Sequence, residues 1–183
     1  LKTGKVELLF DRPIKAKEPS FSKSEKLVYF SGFDPLQRRW EIYSFEFFYQ
    51  NLNKLTEMPG DKTHPEVSPD EDHVLFTTNT RNIPFEQLHL MNWYGNEINE
   101  FTGYNAFDAT WENSGLKTYF ISNKDNHSGD IYSVWIDGSH LERLTNSHLE
   151  FRYPAISPDG KFLAVCIKQK IGIDLFFLPL EEY

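Results

Sequence analysis

Six histidines, one cysteine and a scatter of carboxylates are the reactive groups in this 183-residue chain. Their spacing matches none of the common local catalytic devices. No Gly-x-Ser-x-Gly turn presents a serine nucleophile, no His-Glu-x-x-His helix grips zinc, and no Walker loop cradles a phosphate. The stretch 123–130, NKDNHSGD, superficially looks like a calcium loop. Its oxygens fall out of phase with the EF-hand ligand positions and no Glu stands twelfth, so it reads as a polar inter-strand loop. Cys166 stands alone inside the apolar run FLAVC, which excludes an internal disulfide or cysteine zinc cluster and suits a buried structural thiol. Glu66, Asp70, Glu71, Asp72, Asp108 and Asp159 mostly sit beside turns, where a carboxylate bonds backbone; acid–base work would need two to converge. No catalytic residue, cofactor or metal is assigned.

A second set of residues has the chemistry of recognition. His64, Arg81, Tyr104, Phe107, His148, Arg152 and Tyr153 fall just before or between runs of strand-forming residues. His127, Arg38 and Arg39 fall in the same classes of segment. Aromatics, Arg and His gathered on one surface are the composition of a protein-binding patch. Tyr104, Phe107 and Tyr153 could equally cap the packing beneath them, and the sequence leaves both readings open.

The elements that would gather these residues are repeated. PSFSKSEKLVYFS begins at Pro19, PEVSPDEDHVLFT at Pro65, ATWENSGLKTYFIS at Ala109 and PAISPDGKFLAVC at Pro154, at intervals of 46, 44 and 45 residues. A second landmark follows each: WEIYSFEF at Trp40, EQLHLMNW at Glu86, GDIYSVWI at Gly129 and GIDLFFLPL at Gly172. A third, NKLT, NEFT and ERLT, ends at Thr56, Thr102 and Thr145. A period near 45 residues with several β runs per unit is the mark of propeller blades. Ser157-Pro158-Asp159-Gly160 carries type I turn preferences at each of its four positions. The runs LVYF, VLFT, TYFI and FLAV are apolar at consecutive positions, as strands covered on both faces require.

These features predict one all-β domain over residues 1–183: a β-propeller of four blades, each of four antiparallel strands. The expected blades are 14–56, 60–102, 104–145 and 149–183. The fourth lacks its own third landmark, and residues 4–10, GKVELLF, stand at the matching interval of nine residues before Pro19. They are expected to complete the last blade and hide its edge. A trimmed piece of a larger propeller would show the same pattern.

Ser-Pro-Asp-Gly followed by DIYSVWIDGSHLERLT (130–145) resembles the TolB-type propeller repeat, a likeness that runs over nearly the whole chain. The resemblance implies an exported, often periplasmic, bacterial protein that binds a protein or peptide through its connector loops without catalysis. Two further families with similar repeats supply alternatives. The oligogalacturonate lyases use a metal held by channel histidines, for which His64 and His148 are the candidates here. The accessory propeller of prolyl-oligopeptidase-like peptidases would be inert without its hydrolase half.

Composition narrows the partner class. Aromatic residues make up 16% of the chain, which favours strands. A net charge of −8 argues against nucleic acid, whose binders carry a basic stripe. No apolar run approaches the ~20 residues that span a bilayer, so no membrane insertion is expected. Opening on Leu1 rather than Met suits a processed or trimmed product.

Overall fold

The computed structural model describes residues 8–10, 14–169 and 172–180. Their regular elements are all strands, arranged as four antiparallel sheets in chain order. The first holds β1 (Ala16–Phe21), β2 (Leu27–Asp34), β3 (Arg39–Glu46) and β4 (Asn51–Lys54). The second holds β5 (Asp61–Val67), β6 (His73–Asn79), β7 (Glu86–Asn92) and β8 (Asn99–Glu100). The third holds β9 (Ala106–Trp111), β10 (Lys117–Ser122), β11 (Asp130–Trp135) and β12 (Glu142–Arg143). The fourth has three strands, β13 (Glu150–Ile156), β14 (Phe162–Gln169) and β15 (Gly172–Pro179).

Strands within each sheet follow one another by hairpins, and the type I turns expected from sequence close the first of them. At Ser157–Gly160 the Gly160 N–H bonds the Ser157 carbonyl at 2.9 Å, and Ser157 Oγ donates to Asp159 Oδ1 at 2.6 Å. Gly160 lies at φ +76°, the left-handed conformation that glycine adopts without a Cβ penalty. Glu25 and Glu71 hold the same turn position at φ +58° and +66° without that advantage.

Consecutive apolar residues on the second strands serve two seams at once. Tyr29 and Ile42 pack against Val74, Phe76 and Met91 between the first two sheets. Leu88 meets Ala106, Phe120, Tyr132 and Val134 between the second and third. Tyr119, Ile121 and Ile131 meet Leu163, Val165 and Ile167 between the third and fourth. The second and third sheets are therefore covered on both faces, and each large side chain buried there adds about 1.5–3 kcal/mol. Across the first seam a buried triad adds charge: Glu41 accepts from Arg39 Nε at 2.6 Å and from Lys62 Nζ at 3.0 Å.

Of the segment 4–10, expected to complete the last blade, residues 4–7 fall outside the described residues. Phe10 stacks on Phe30 with centroids 5.7 Å apart and lies against Phe45, over the first sheet. Phe10 stands where the other units carry Thr56, Thr102 and Thr145, and it has no hydroxyl for the bonds those residues make. Among the described residues the first and fourth sheets do not touch, so the four sheets form an open arc.

Candidate binding site at the inner edge of the arc

Strands β1, β5, β9 and β13 pack successively beside one another and form the inner edge of the arc. Each is interrupted at the same place by a β-bulge: between Lys17 and Ser20, Thr63 and Glu66, Phe107 and Thr110, and Arg152 and Ala155. Three of the four bulges contain a proline, Pro19, Pro65 or Pro154, which cannot donate to the ladder and belongs at such interruptions. The residue before it takes the left-handed conformation, Glu18 at φ +56°, His64 at +52° and Tyr153 at +51°, and so does Asp108 at +48°, which precedes Ala109 in the third bulge. For residues with a Cβ this costs about 1–2 kcal/mol each, and such strain concentrates at functional positions.

At two of the bulges an N–H turns toward the preceding sheet. His64 N–H donates to Glu18 Oε2 at 2.9 Å, and Tyr153 N–H donates to Asp108 Oδ2 at 3.3 Å. His64 Nε2 also faces Glu18 Oε1 at 3.2 Å. Burial pushes the Glu18 carboxyl up, but bonds from the His64 N–H, Lys17 and Ser31 outweigh it and hold the group below its ordinary value. Nearby, burial raises the Glu86 carboxyl and the charge of Asp108 adds to the effect; His64 and Arg152 oppose it, while Glu18 raises it further. Acidic and basic groups from all four sheets thus share one electrostatic field.

Arg152 lays its guanidinium over the Phe107 ring, 4.6 Å from the centroid, a cation–π contact. Both line a recess of about 380 Å³ with Glu86, Asn105, Asn123, His127, Ser128 and Glu150. Four of the seven residues expected in connectors, His64, Phe107, Arg152 and Tyr153, therefore lie on inner strands, all of them at the bulges or beside them. The other three are placed elsewhere. Arg81 lines a separate recess of about 740 Å³ over the first seam, with Arg38, Arg39 and Asp61 among its walls. Tyr104 is partly buried on the third sheet, its ring 6.4 Å from Phe120 and beneath Lys124 at 5.5 Å. His148 is exposed in the segment before β13. Among the described residues, no group of three or more His, Cys, Asp or Glu side chains is placed to hold a metal ion.

Glu18, Glu86 and the bulge position of Asp108 escaped the sequence reading, which began each unit one residue too late, at the proline. The signal was there: residues 18, 64, 108 and 153 keep the interval of the repeat. At the opposite end of the inner edge lies another recess, about 520 Å³, to which all four sheets contribute. There Glu66 accepts from Thr110 Oγ1 at 3.0 Å, and burial pushes its carboxyl up to about 7. Trp111 Nε1 donates to the Glu66 carbonyl at 2.9 Å and ties the second sheet to the third.

Consecutive sheets of three or four strands with matching bulges, seams and turns define a protein of β-propeller repeats. No family model matches the chain. A "Protein TolB homolog" of Chlorobium luteolum is 30% identical over 141 residues, which are 76% of this chain and 31% of that relative. The crystal structure of TolB from Acinetobacter baumannii superposes with a TM-score of 0.78 at 18% identity, covering 98% of this chain and 44% of that one. An oligogalacturonate lyase in complex with manganese shares the fold with a TM-score of 0.63 at 12% identity, covering 96% of this chain and 69% of that one. The chain is a TolB-like propeller protein that spans about 31% of the length of the curated relative it matches.

Proposed function

We propose that the chain is a non-catalytic binding module that takes a protein or peptide partner at the inner edge, on the end where the bulges lie. The observation that carries this reading is the set of four left-handed residues, Glu18, His64, Asp108 and Tyr153, repeated around that edge. Beside them Arg152 is braced on Phe107, and an arginine held on an aromatic ring has little freedom to lose on binding. Carboxylates alternating with His64 and Arg152 suit a segment that offers both backbone donors and an acidic or aromatic group. Arg81 and His148 extend the same end of the arc and belong to the outer part of the proposed surface. Kinship with TolB homologues supports the binding role and an exported, periplasmic setting. The lyase reading gains no support from the histidines, since the His64 imidazole faces Glu18.

The test is retention of partners by the immobilised chain and by an Arg152→Ala/Tyr153→Ala variant, both shown by thermal melts to be folded. Selective loss of one or a few retained proteins is expected. Identical recovery of every protein by the two would overturn the reading.

A further inference from the structure

Over the seam between the first and second sheets, loops of both sheets enclose the recess of about 740 Å³ that holds Arg38, Arg39 and Arg81. Bonds within each loop fix its shape. Asp34 Oδ1 accepts from the Leu36 and Gln37 N–H groups at 2.8 and 3.2 Å, which shapes the turn before Arg38, and Arg38 itself is held at φ +54°. Beside Arg81, the Ile83 N–H bonds the Thr80 carbonyl at 3.2 Å. Gly60, at φ +90°, lets the β4–β5 loop close on the segment after β6. A Cβ there would lie 2.6 Å from both the Asn79 carbonyl oxygen and Thr80 Cγ2. The recess is therefore built in advance of any ligand.

Its charge is not neutralised within the fold. Arg39 is engaged, with Nε donating to Glu41 Oε1 at 2.6 Å and Nη2 to the Glu57 carbonyl at 2.6 Å. Arg38 and Arg81 are exposed and make no hydrogen bond or ion pair with another described residue. Asp61 is the one carboxylate in the wall, and it already accepts from the Trp40 N–H at 2.8 Å. Three guanidiniums against one carboxylate leave the lining two positive charges, in a chain whose net charge is −8. Like charges gathered in this way repel one another unless an anion lies among them. Thr80, another wall residue, has a buried Oγ1 with no hydrogen-bond partner among the described residues. A buried hydroxyl left over in a polar recess is one that a ligand can satisfy.

We propose that this recess binds the phosphate group of a small phosphate monoester. Such a group carries a charge of about −1.5 to −2 at neutral pH and three acceptor oxygens. Its charge matches the lining, and its oxygens match the two unpaired guanidiniums and the Thr80 hydroxyl. A carboxylate, with one charge and two oxygens, would leave one of those groups unmet. Guanidinium forks suit phosphate oxygens, and the amides of Gln37, Asn79 and Asn82 in the same wall can bond the hydroxyls of the ester's organic part. A volume of about 740 Å³ falls within the range of about 300–1,000 Å³ typical of small-molecule sites. The inner-edge reading includes Arg81 in the outer part of its surface, but phosphate binding here does not rest on that reading.

The probe is glycerol 3-phosphate, titrated calorimetrically into the 183-residue chain at low ionic strength and neutral pH, with succinate in parallel. Saturable binding of the phosphate is expected, weakened about tenfold by Arg38→Gln and by about as much by Arg81→Gln, each removing a charged hydrogen bond. Both arginines are exposed, so the variants should keep the wild-type thermal melt. The Arg152→Ala/Tyr153→Ala variant should bind glycerol 3-phosphate as the wild type does, so this proposal and the inner-edge reading fail separately. Absence of saturable binding, or binding that either arginine change leaves untouched, would overturn the proposal. So would succinate binding as tightly as glycerol 3-phosphate, or loss of phosphate binding in the Arg152→Ala/Tyr153→Ala variant.

Discussion

Glu66→Gln isolates a single proton. The Glu66 side chain sits between the second and third sheets with Thr110 donating to it, and burial moves its carboxyl from 4.5 to about 7. An acid whose folded value is raised binds more protons folded than unfolded between those two values, so stability falls as pH rises through that window. A displacement from 4.5 to about 7 corresponds to about 3 kcal/mol. Glutamine keeps the oxygen that Thr110 uses and cannot ionise. Urea melts of both proteins at pH 4 and at pH 8.5 should therefore agree at the acid end. At the alkaline end the variant should be the more stable by up to about 3 kcal/mol, or about 6–12 °C in Tm for a chain of this size. Taking the difference between the two proteins removes every other titrating group. A difference that stays constant with pH would show that Glu66 is solvated in the folded chain, and the reasoning would fail.

The other predictions concern backbone and charge. Gly160→Ala should cost about 1–2 kcal/mol in a urea melt through its left-handed φ alone, since an added Cβ meets nothing nearer than Asn113 at 3.7 Å. Lys62→Met leaves Glu41 buried with only part of its triad and should destabilise by about 3 kcal/mol, with much of the loss recovered by adding Glu41→Gln. Glu18 is held below its ordinary value, so its contribution is complete above pH 4.5 and disappears as pH falls through the depressed value. Glu18→Gln should accordingly flatten the acid limb of the stability profile.

How far sequence reached depended on whether a position's chemistry is local. The second strands were legible because burial on two faces demands apolar residues at consecutive positions, and Tyr29 and Phe30 are buried on opposite faces of the first sheet. Ser157–Gly160 was legible because a turn is specified by its own four residues. The bulges were not. A residue before proline favours an extended conformation, so nothing local marks Glu18, His64 and Tyr153 as left-handed. What holds them there lies about 45 residues away in the neighbouring sheet, in bonds such as His64 N–H to Glu18 and Tyr153 N–H to Asp108. An interval fixes only where a residue could reach, whereas the hydroxyls of Thr56, Thr102 and Thr145 fix what each does on arrival, and Phe10, at the matching interval, carries none. Periodicity therefore predicts packing well and partners poorly, because packing asks only for an apolar residue at the right interval and a polar contact asks for its functional group as well.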